Sequence, residues 1–155
     1  STAGTGVWLE WCPEETWYPV TDINMRRSFR VAKHVSAVMK KQQRGVIILT
    51  SSGAGVLGGS SSFAYGSSKG GVHGLALVMQ NALEKYGIRV NDILPGAVNT
   101  PLKVGQLKTT YDLTGDSSNY EQSVSRLISP DDVAKVITFM ASDEASALRG
   151  SVRTA

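Results

Sequence analysis

Two short apolar runs separated by one long helical pattern constrain the fold of this chain more than anything else in it. Gly45-Val46-Ile47-Ile48-Leu49-Thr50 is a continuous apolar segment entered by a glycine. Ile88-Arg89-Val90-Asn91-Asp92-Ile93-Leu94 is a second strand, stopped by Pro95-Gly96. Such runs suit strands buried in a parallel sheet. Between them, from about Ala64 to Tyr86, Val72, Leu75, Ala76, Met79 and Leu83 recur at helical spacing, and Gly87 stands at the C′ position. Strand, helix, strand with short links is a βαβ unit, right-handed by strong precedent. The expected fold is α/β, a doubly wound parallel sheet in three layers. In open sheets of this kind a ligand lies beyond the carboxyl ends of the strands. Ser51-Ser52 and Pro95-Gly96 both fall there.

The same end of the sheet receives Tyr65 and Lys69, four residues apart and thirteen residues after Ser52. A spacing of i, i+4 stacks two side chains on one helix face. A free phenol titrates near about 10, and a cation held close by stabilises the phenolate and lowers that value. A serine hydroxyl in reach of the same spot can hold a substrate oxygen while the proton moves. Together the three groups form an acid/base device for alcohol–carbonyl chemistry. Tyr-x-x-x-Lys arises by chance in many helices, so its weight comes from its surroundings.

With those surroundings the chain resembles the short-chain dehydrogenase/reductase family. The matching pieces are Ser51-Ser52 after the strand, Tyr65-Gly66-Ser67-Ser68-Lys69, and Asn91-Asp92-Ile93-Leu94-Pro95-Gly96-Ala97-Val98-Asn99-Thr100. Asp22-Ile23-Asn24 resembles the family's Asp-x-Asn, and Ser129-Pro130-Asp131-Asp132-Val133 through Phe139-Met140-Ala141-Ser142-Asp143 resembles its last helix. The resemblance implies a Rossmann-like sheet and an oxidoreductase that interconverts a secondary alcohol and a ketone with NAD or NADP. It implies Tyr65 as the catalytic acid/base and Ser52 as hydrogen-bond partner of the substrate oxygen. Lys69 would lower the tyrosine pKa and bind the nicotinamide ribose, and Asn24 would support a proton relay. Pro95, Gly96, Val98 and Thr100 would line the nicotinamide pocket, with Tyr65 and Lys69 also touching the cofactor. The bland reading of Asn24 is a polar residue near a helix start.

The departures are equally specific. The family's Thr-Gly-rich turn after its first strand has no counterpart before residue 24, and Ser1-Thr2-Ala3-Gly4 stands in for its Asn-Asn-Ala-Gly segment. No initiating methionine is present, and the chain stops at Gly150-Ser151-Val152-Arg153-Thr154-Ala155, where a final strand should run on. The sequence therefore reads as an internal fragment, one partial domain over 1–155 truncated at both ends, of marginal stability because a small open sheet leaves its edges unpaired. A non-catalytic truncated product, or a subunit-association module, is the competing reading. NAD and NADP are not distinguished, because the residues that read the ribose 2′ position are missing.

Two further motifs are decoys. Gly53-Ala54-Gly55-Val56-Leu57-Gly58 matches G-x-G-x-x-G after a strand, but no helix is expected to open at Gly58, and no Asp or Glu occurs between Asp22 and Glu84. A flexible active-site loop over Gly53–Ser62 is the better reading. Gly66-Ser67-Ser68-Lys69-Gly70 matches G-x-S-x-G, yet Ser60 to Ala64 is no strand, and His73 follows with no acid between. A hydrolase is therefore not supported.

Composition narrows the remaining classes. Of 155 residues 41% are apolar, enough for one domain's core, and the single Cys12 excludes an internal disulfide and fits a reducing compartment. No signal peptide or long apolar span is visible, so a cytoplasmic location without membrane contact is expected. His34 and His73 stand apart with no Cys or carboxylate at ligand spacing, so no metal is expected. Arg26, Arg27, Arg30, Lys33, Lys40, Lys41 and Arg44 fall on or beside one expected helix, Asp22 to Lys41, whose apolar stripe is Met25, Phe29, Ala32, Val35, Val38 and Met39. A basic helix suggests nucleic acid as a remote alternative. No aromatic residue interleaves the basic ones, and a solvated face is the simpler account. By the resemblance, this helix and the Tyr65 helix would pack against a second subunit as homodimer or homotetramer. Residues 97–128 would form a polar, partly helical lid over the substrate. Leu102, Val104, Leu107 and Leu113 allow an acyl chain, a sugar or a cyclic ketone alike.

Overall fold

A computed structural model describes residues 9–59 and 62–155. Three parallel strands run in the order β1-β2-β3: β1 Gly45–Thr50, β2 Ile88–Leu94 and β3 Gly150–Arg153. Gly45 pairs with Ile88 and Thr50 with Ile93, while Asn91 pairs with Gly150 and Leu94 with Arg153. The helices are α1 Glu14–Thr21, α2 Arg27–Gln42, α3 Gly53–Val56, α4 Phe63–Leu83, α5 Pro101–Thr114, α6 Ser117–Ser125 and α7 Pro130–Ala141.

Side chains alternate across the strands and build two cores, one on each face. Ile47, Leu49, Ile88 and Val90 meet Val72, Ala76 and Leu83 of α4, with Val35 and Met39 of α2 at the margin. Ile93 meets Val133 and Met140 of α7 on the opposite face, joined by Ile48 and Val152. Arg89 leaves that face toward the end of α7, donating to Met140 O at 3.1 Å and Ser142 O at 2.8 Å. The expected α/β/α layering holds, and so do the expected α4 stripe and Gly87 in the left-handed conformation (φ 68°).

Three expectations are corrected. The helix expected from Asp22 begins eight residues earlier, because α1 runs through a five-residue π turn, Asp22–Arg26, into α2. Pro19 lies inside α1, where its missing N–H and ring bulk disturb the regular ladder. The π turn follows three residues later, with Arg27 N–H reaching Asp22 O. The α2 stripe is only partly covered: Ala32 is buried, whereas Met25, Phe29 and Val38 stay exposed. The loop expected over Gly53–Ser62 contains α3, capped by Ser52, whose Oγ accepts from Ala54 N at 3.2 Å. Residues 97–128 are partly helical, as expected, with α5 and α6 packed so that the Tyr111 and Tyr120 rings meet at a 41° tilt with centres 5.4 Å apart.

Candidate active site

The site grows from the carboxyl end of β1. Lys69, in the second turn of α4, reaches back along the sheet and donates from Nζ to Thr50 O at 2.9 Å. The same Nζ stands 5.8 Å from the centre of the Tyr65 ring, one turn earlier on the helix, within the range of a cation–π contact. Burial of the ammonium pushes its pKa below the ordinary lysine value, since leaving water disfavours the charged form. Tyr65 itself is exposed.

Asn24 enters from the other side. It occupies the middle of the π turn, where its Nδ2 donates to Ser68 Oγ at 3.1 Å. Ser68, fully buried, donates in turn to Tyr65 O at 2.8 Å. Asn24 is thus fastened to the backbone of the Tyr65 turn. Asn24, Thr50 and Lys69 line one groove of about 390 Å³ along the outer edge of β1.

Ser52 is tied to α4 by a backbone contact. A Cβ on Gly55 would lie 2.2 Å from Gly70 N, 2.6 Å from Lys69 C and 2.7 Å from Gly66 O. Only glycine lets α3 approach the Tyr65–Lys69 helix this closely. The glycine-rich segment is therefore a packing device at this point, and no helix opens at Gly58, as the sequence indicates.

The residues after β2 form a separate wall. Gly96 N donates to Thr154 Oγ1 at 3.1 Å, and a Cβ at this position would strike Ala155 O, so the strand end after β3 passes directly over Pro95-Gly96. Val98 bridges to Ile128 through its neighbours: Asn99 N donates to Ile128 O at 2.8 Å and Ile128 N to Ala97 O at 2.9 Å. The N–H and C=O of Val98 itself face away from that bridge. Thr100 caps α5, its hydroxyl accepting from Lys103 N at 3.3 Å. Among the described residues no hydrogen bond joins Pro95, Gly96, Val98 or Thr100 to Tyr65, Lys69 or Ser52. The structure thus links Asn24, through Ser68, to the turn that carries Tyr65 and Lys69, packs the helix capped by Ser52 against the same segment at Gly55, and joins the four wall residues to none of them by a hydrogen bond.

One pair that no local spacing announces is His73 and Asp92, 19 residues apart in the chain. His73 Nδ1 stands 3.1 Å from Asp92 Oδ2 and 3.1 Å from Ser151 Oγ. A serine, a histidine and an aspartate in mutual contact invite comparison with a hydrolytic triad. A triad needs the acid and the serine on opposite ring nitrogens, and here both lie on Nδ1. No group of three or more potential metal ligands exists among the described residues. The segment compared with Asn-Asn-Ala-Gly, Ser1–Gly4, lies outside them.

How far do these residues fit a nicotinamide cofactor? Val98 offers one unpaired donor and one unpaired acceptor, the complement of a carboxamide. Lys69 spends one of its three donors on Thr50 O and faces the groove with the rest. These residues suit the nicotinamide and its ribose, and Lys69 and Val98 would hold them. No phosphate cradle is seen among the described residues, because Gly55 is consumed by packing.

The chain is similar to known proteins over nearly its whole length. A family model described as enoyl-(acyl carrier protein) reductase matches residues 4–154. A 3-oxoacyl-[acyl-carrier-protein] reductase of Thermotoga maritima is 33% identical over 139 residues, covering 90% of this chain and 55% of the relative. The (+)-borneol dehydrogenase 1 of Salvia officinalis is 36% identical over 128 residues, covering 83% of this chain and 49% of the relative. Among solved structures, levodione reductase superposes with TM-score 0.87 at 28% identity, covering 97% of this chain and 60% of its own. An NAD+-bound xylitol dehydrogenase superposes with TM-score 0.83 at 27% identity, covering 98% of this chain and 65% of its own. The chain spans about half the length of the curated relatives it matches.

Proposed function

The chain belongs to the short-chain dehydrogenase/reductase family, and from that premise we propose that it carries the proton-transfer half of a nicotinamide-dependent oxidoreductase acting on a CH–OH/C=O pair. The observation that carries the proposal is Lys69, held by Thr50 O beneath the Tyr65 ring at the carboxyl end of the sheet. A bound NAD or NADP supplies or accepts the hydride at the substrate carbon. All the proton chemistry falls to this chain.

In the reducing direction Tyr65 Oη gives its proton to the carbonyl oxygen, and in the oxidising direction it takes the proton back. Ser52 accepts Ala54 N–H through a lone pair, which leaves its own O–H to donate to the same substrate oxygen. Lys69, with an ammonium short of water, binds the ribose hydroxyls and lies against the Tyr65 ring. Asn24, acting through Ser68, keeps the Tyr65 turn in place and links it to the groove along β1. Val98 takes the carboxamide, Pro95 and Gly96 floor the pocket, and Thr100 starts the α5–α6 lid that covers the substrate. The relatives act on 3-oxoacyl thioesters and on a cyclic secondary alcohol, going by their names. The exposed Leu102 and Leu113 of α5 favour an apolar substrate of one of these two kinds over a sugar.

The exposed apolar residues Phe29 and Val38 of α2 and Val78 of α4 support a homodimer or homotetramer built on these two helices. Among the described residues no helix is long and apolar enough to cross a membrane.

The test is turnover of acetoacetyl-CoA and of borneol by the whole protein with NADH/NAD and NADPH/NADP, for wild type and Tyr65→Phe. Tyr65→Phe should abolish turnover and leave coenzyme binding nearly intact. A Tyr65→Phe enzyme that turned over at close to the wild-type rate would refute the proposal.

A further inference from the structure

Asp92 is fully buried, and it is the one charged side chain buried in the core among the described residues. The pleat of β2 puts it on the α4 face, in line with Ile88 and Val90. An apolar side chain there would extend the core. A carboxylate costs several kcal/mol to bury unless hydrogen bonds compensate it. Here three donors do so. Ser51 Oγ donates to Oδ2, Ser151 Oγ donates to Oδ1, and His73 Nδ1 stands 3.1 Å from Oδ2. Ser51 is itself buried, with a second contact to Ile93 O at 3.2 Å and its backbone N–H on the same carbonyl at 3.0 Å.

The three donors come from the three elements that must keep register for the proposed reaction. Ser51 directly precedes Ser52. His73 lies one turn beyond Lys69 and two beyond Tyr65 on the same stripe of α4. Ser151 belongs to β3, whose continuation at Thr154 covers Gly96. Because Ser151 gives its proton to Asp92, its lone pairs face the imidazole, and both contacts require the proton on Nδ1.

We propose that Asp92 is a positioning residue: through Ser51 and His73 its carboxylate fixes Ser52 against the Tyr65–Lys69 helix. This rests on the function proposed above. Asp92 touches neither substrate nor coenzyme, and its effect is on the distance between groups that do. A misplacement of about 1 Å in such a constellation costs about 100-fold in rate, so partial loosening should cost about tenfold.

The chain has two histidines, His34 and His73, and His34 is exposed on α2. Nitrogen-15 NMR of the 155-residue chain at high pH therefore reads the His73 tautomer against an internal control. His73 should carry its proton on Nδ1 and give a slowly exchanging ring N–H resonance, which the exposed His34 should lack. Asp92→Asn should remove that resonance and shift the amide signals of Ser52 and Ala54. In the whole protein, Asp92→Asn should lower kcat for acetoacetyl-CoA or borneol about tenfold while KM stays within twofold. His73 protonated on Nε2, or wild-type kcat for Asp92→Asn beside an inactive Tyr65→Phe, would overturn the inference. If Asp92→Asn does not fold, Ser51→Ala takes its place, leaving the carboxylate two donors. The same fall in kcat supports the inference, and unmoved Ser52 and Ala54 amides overturn it. Retained turnover in Tyr65→Phe would instead sink the proposed function, while the tautomer still reports on the Asp92 network.

Discussion

Replacing Gly55 with alanine tests whether α3 is docked on α4 by backbone contact. The added methyl would sit 2.2 Å from Gly70 N, with Lys69 C and Gly66 O closer than 3 Å as well. Non-bonded contacts of this type settle at about 3.5 Å, so α3 must retreat by roughly 1.3 Å. The atoms in the way are backbone of α4 and cannot rotate aside. Overpacking costs about 1–3 kcal/mol, and the rigidity of the neighbours puts Gly55→Ala at the upper end, about 3 kcal/mol. The gain in helix propensity of up to about 1 kcal/mol offsets part of it, leaving a net loss of about 2 kcal/mol. Urea unfolding followed by tryptophan fluorescence should show the midpoint falling by about 1 M with an unchanged slope. Gly74→Ala on α4 is the control, because nothing lies within 4 Å of its added methyl. It should stabilise the chain by about 0.5–1 kcal/mol. The retreat of α3 also carries Ser52 away from Tyr65, so the whole protein should lose about 100-fold in turnover. A Gly55→Ala chain as stable as Gly74→Ala would refute the reasoning.

Other perturbations have equally definite outcomes. Lys69 has a folded-state pKa below its unfolded value, so the unfolded chain binds more protons between the two and stability rises with pH across that window. Lys69→Met should therefore raise the melting temperature at neutral pH, with the gain shrinking as pH climbs toward the ordinary lysine value of 10.5. A gain that persists unchanged above that pH would contradict the assignment. Thr100→Ala should cost about 1 kcal/mol through loss of the α5 cap, and Thr100→Ser should restore most of it in the same melt. Met140 is completely buried against Ile93 and Val133, so Met140→Ala should cost about 2–5 kcal/mol, measured by urea unfolding.

What was legible in the sequence was what depends on neighbours along the chain. The runs at 45–50 and 88–94, the α4 stripe and the left-handed Gly87 all follow from local spacing, and the structure reproduces them. Tyr65 and Lys69 were legible for the same reason, since four residues of helix bring them together. The π turn was not: no local spacing marks Asp22–Arg26, and its middle residue Asn24 bonds Ser68, 44 residues away. α3 was hidden by its composition: glycines at 53 and 55 argue against a helix locally, and the close approach to Gly70 overrides that preference. Asp92 was hidden most thoroughly. In the strand Ile88–Leu94 it reads as a polar break in the apolar pattern, and its partners lie 41, 19 and 59 residues away. Nothing short of the folded register identifies them.

The central claim is that Tyr65 delivers the proton while a nicotinamide delivers the hydride to the same C=O. It is tested most directly by reducing acetoacetyl-CoA with coenzyme deuterated on one face of C4, using the whole protein. The account predicts one deuterium on the carbinol carbon from one face only, none from solvent at that carbon, and no product with Tyr65→Phe. Solvent deuterium on the carbinol carbon, or labelled product at an undiminished rate with Tyr65→Phe, would contradict it.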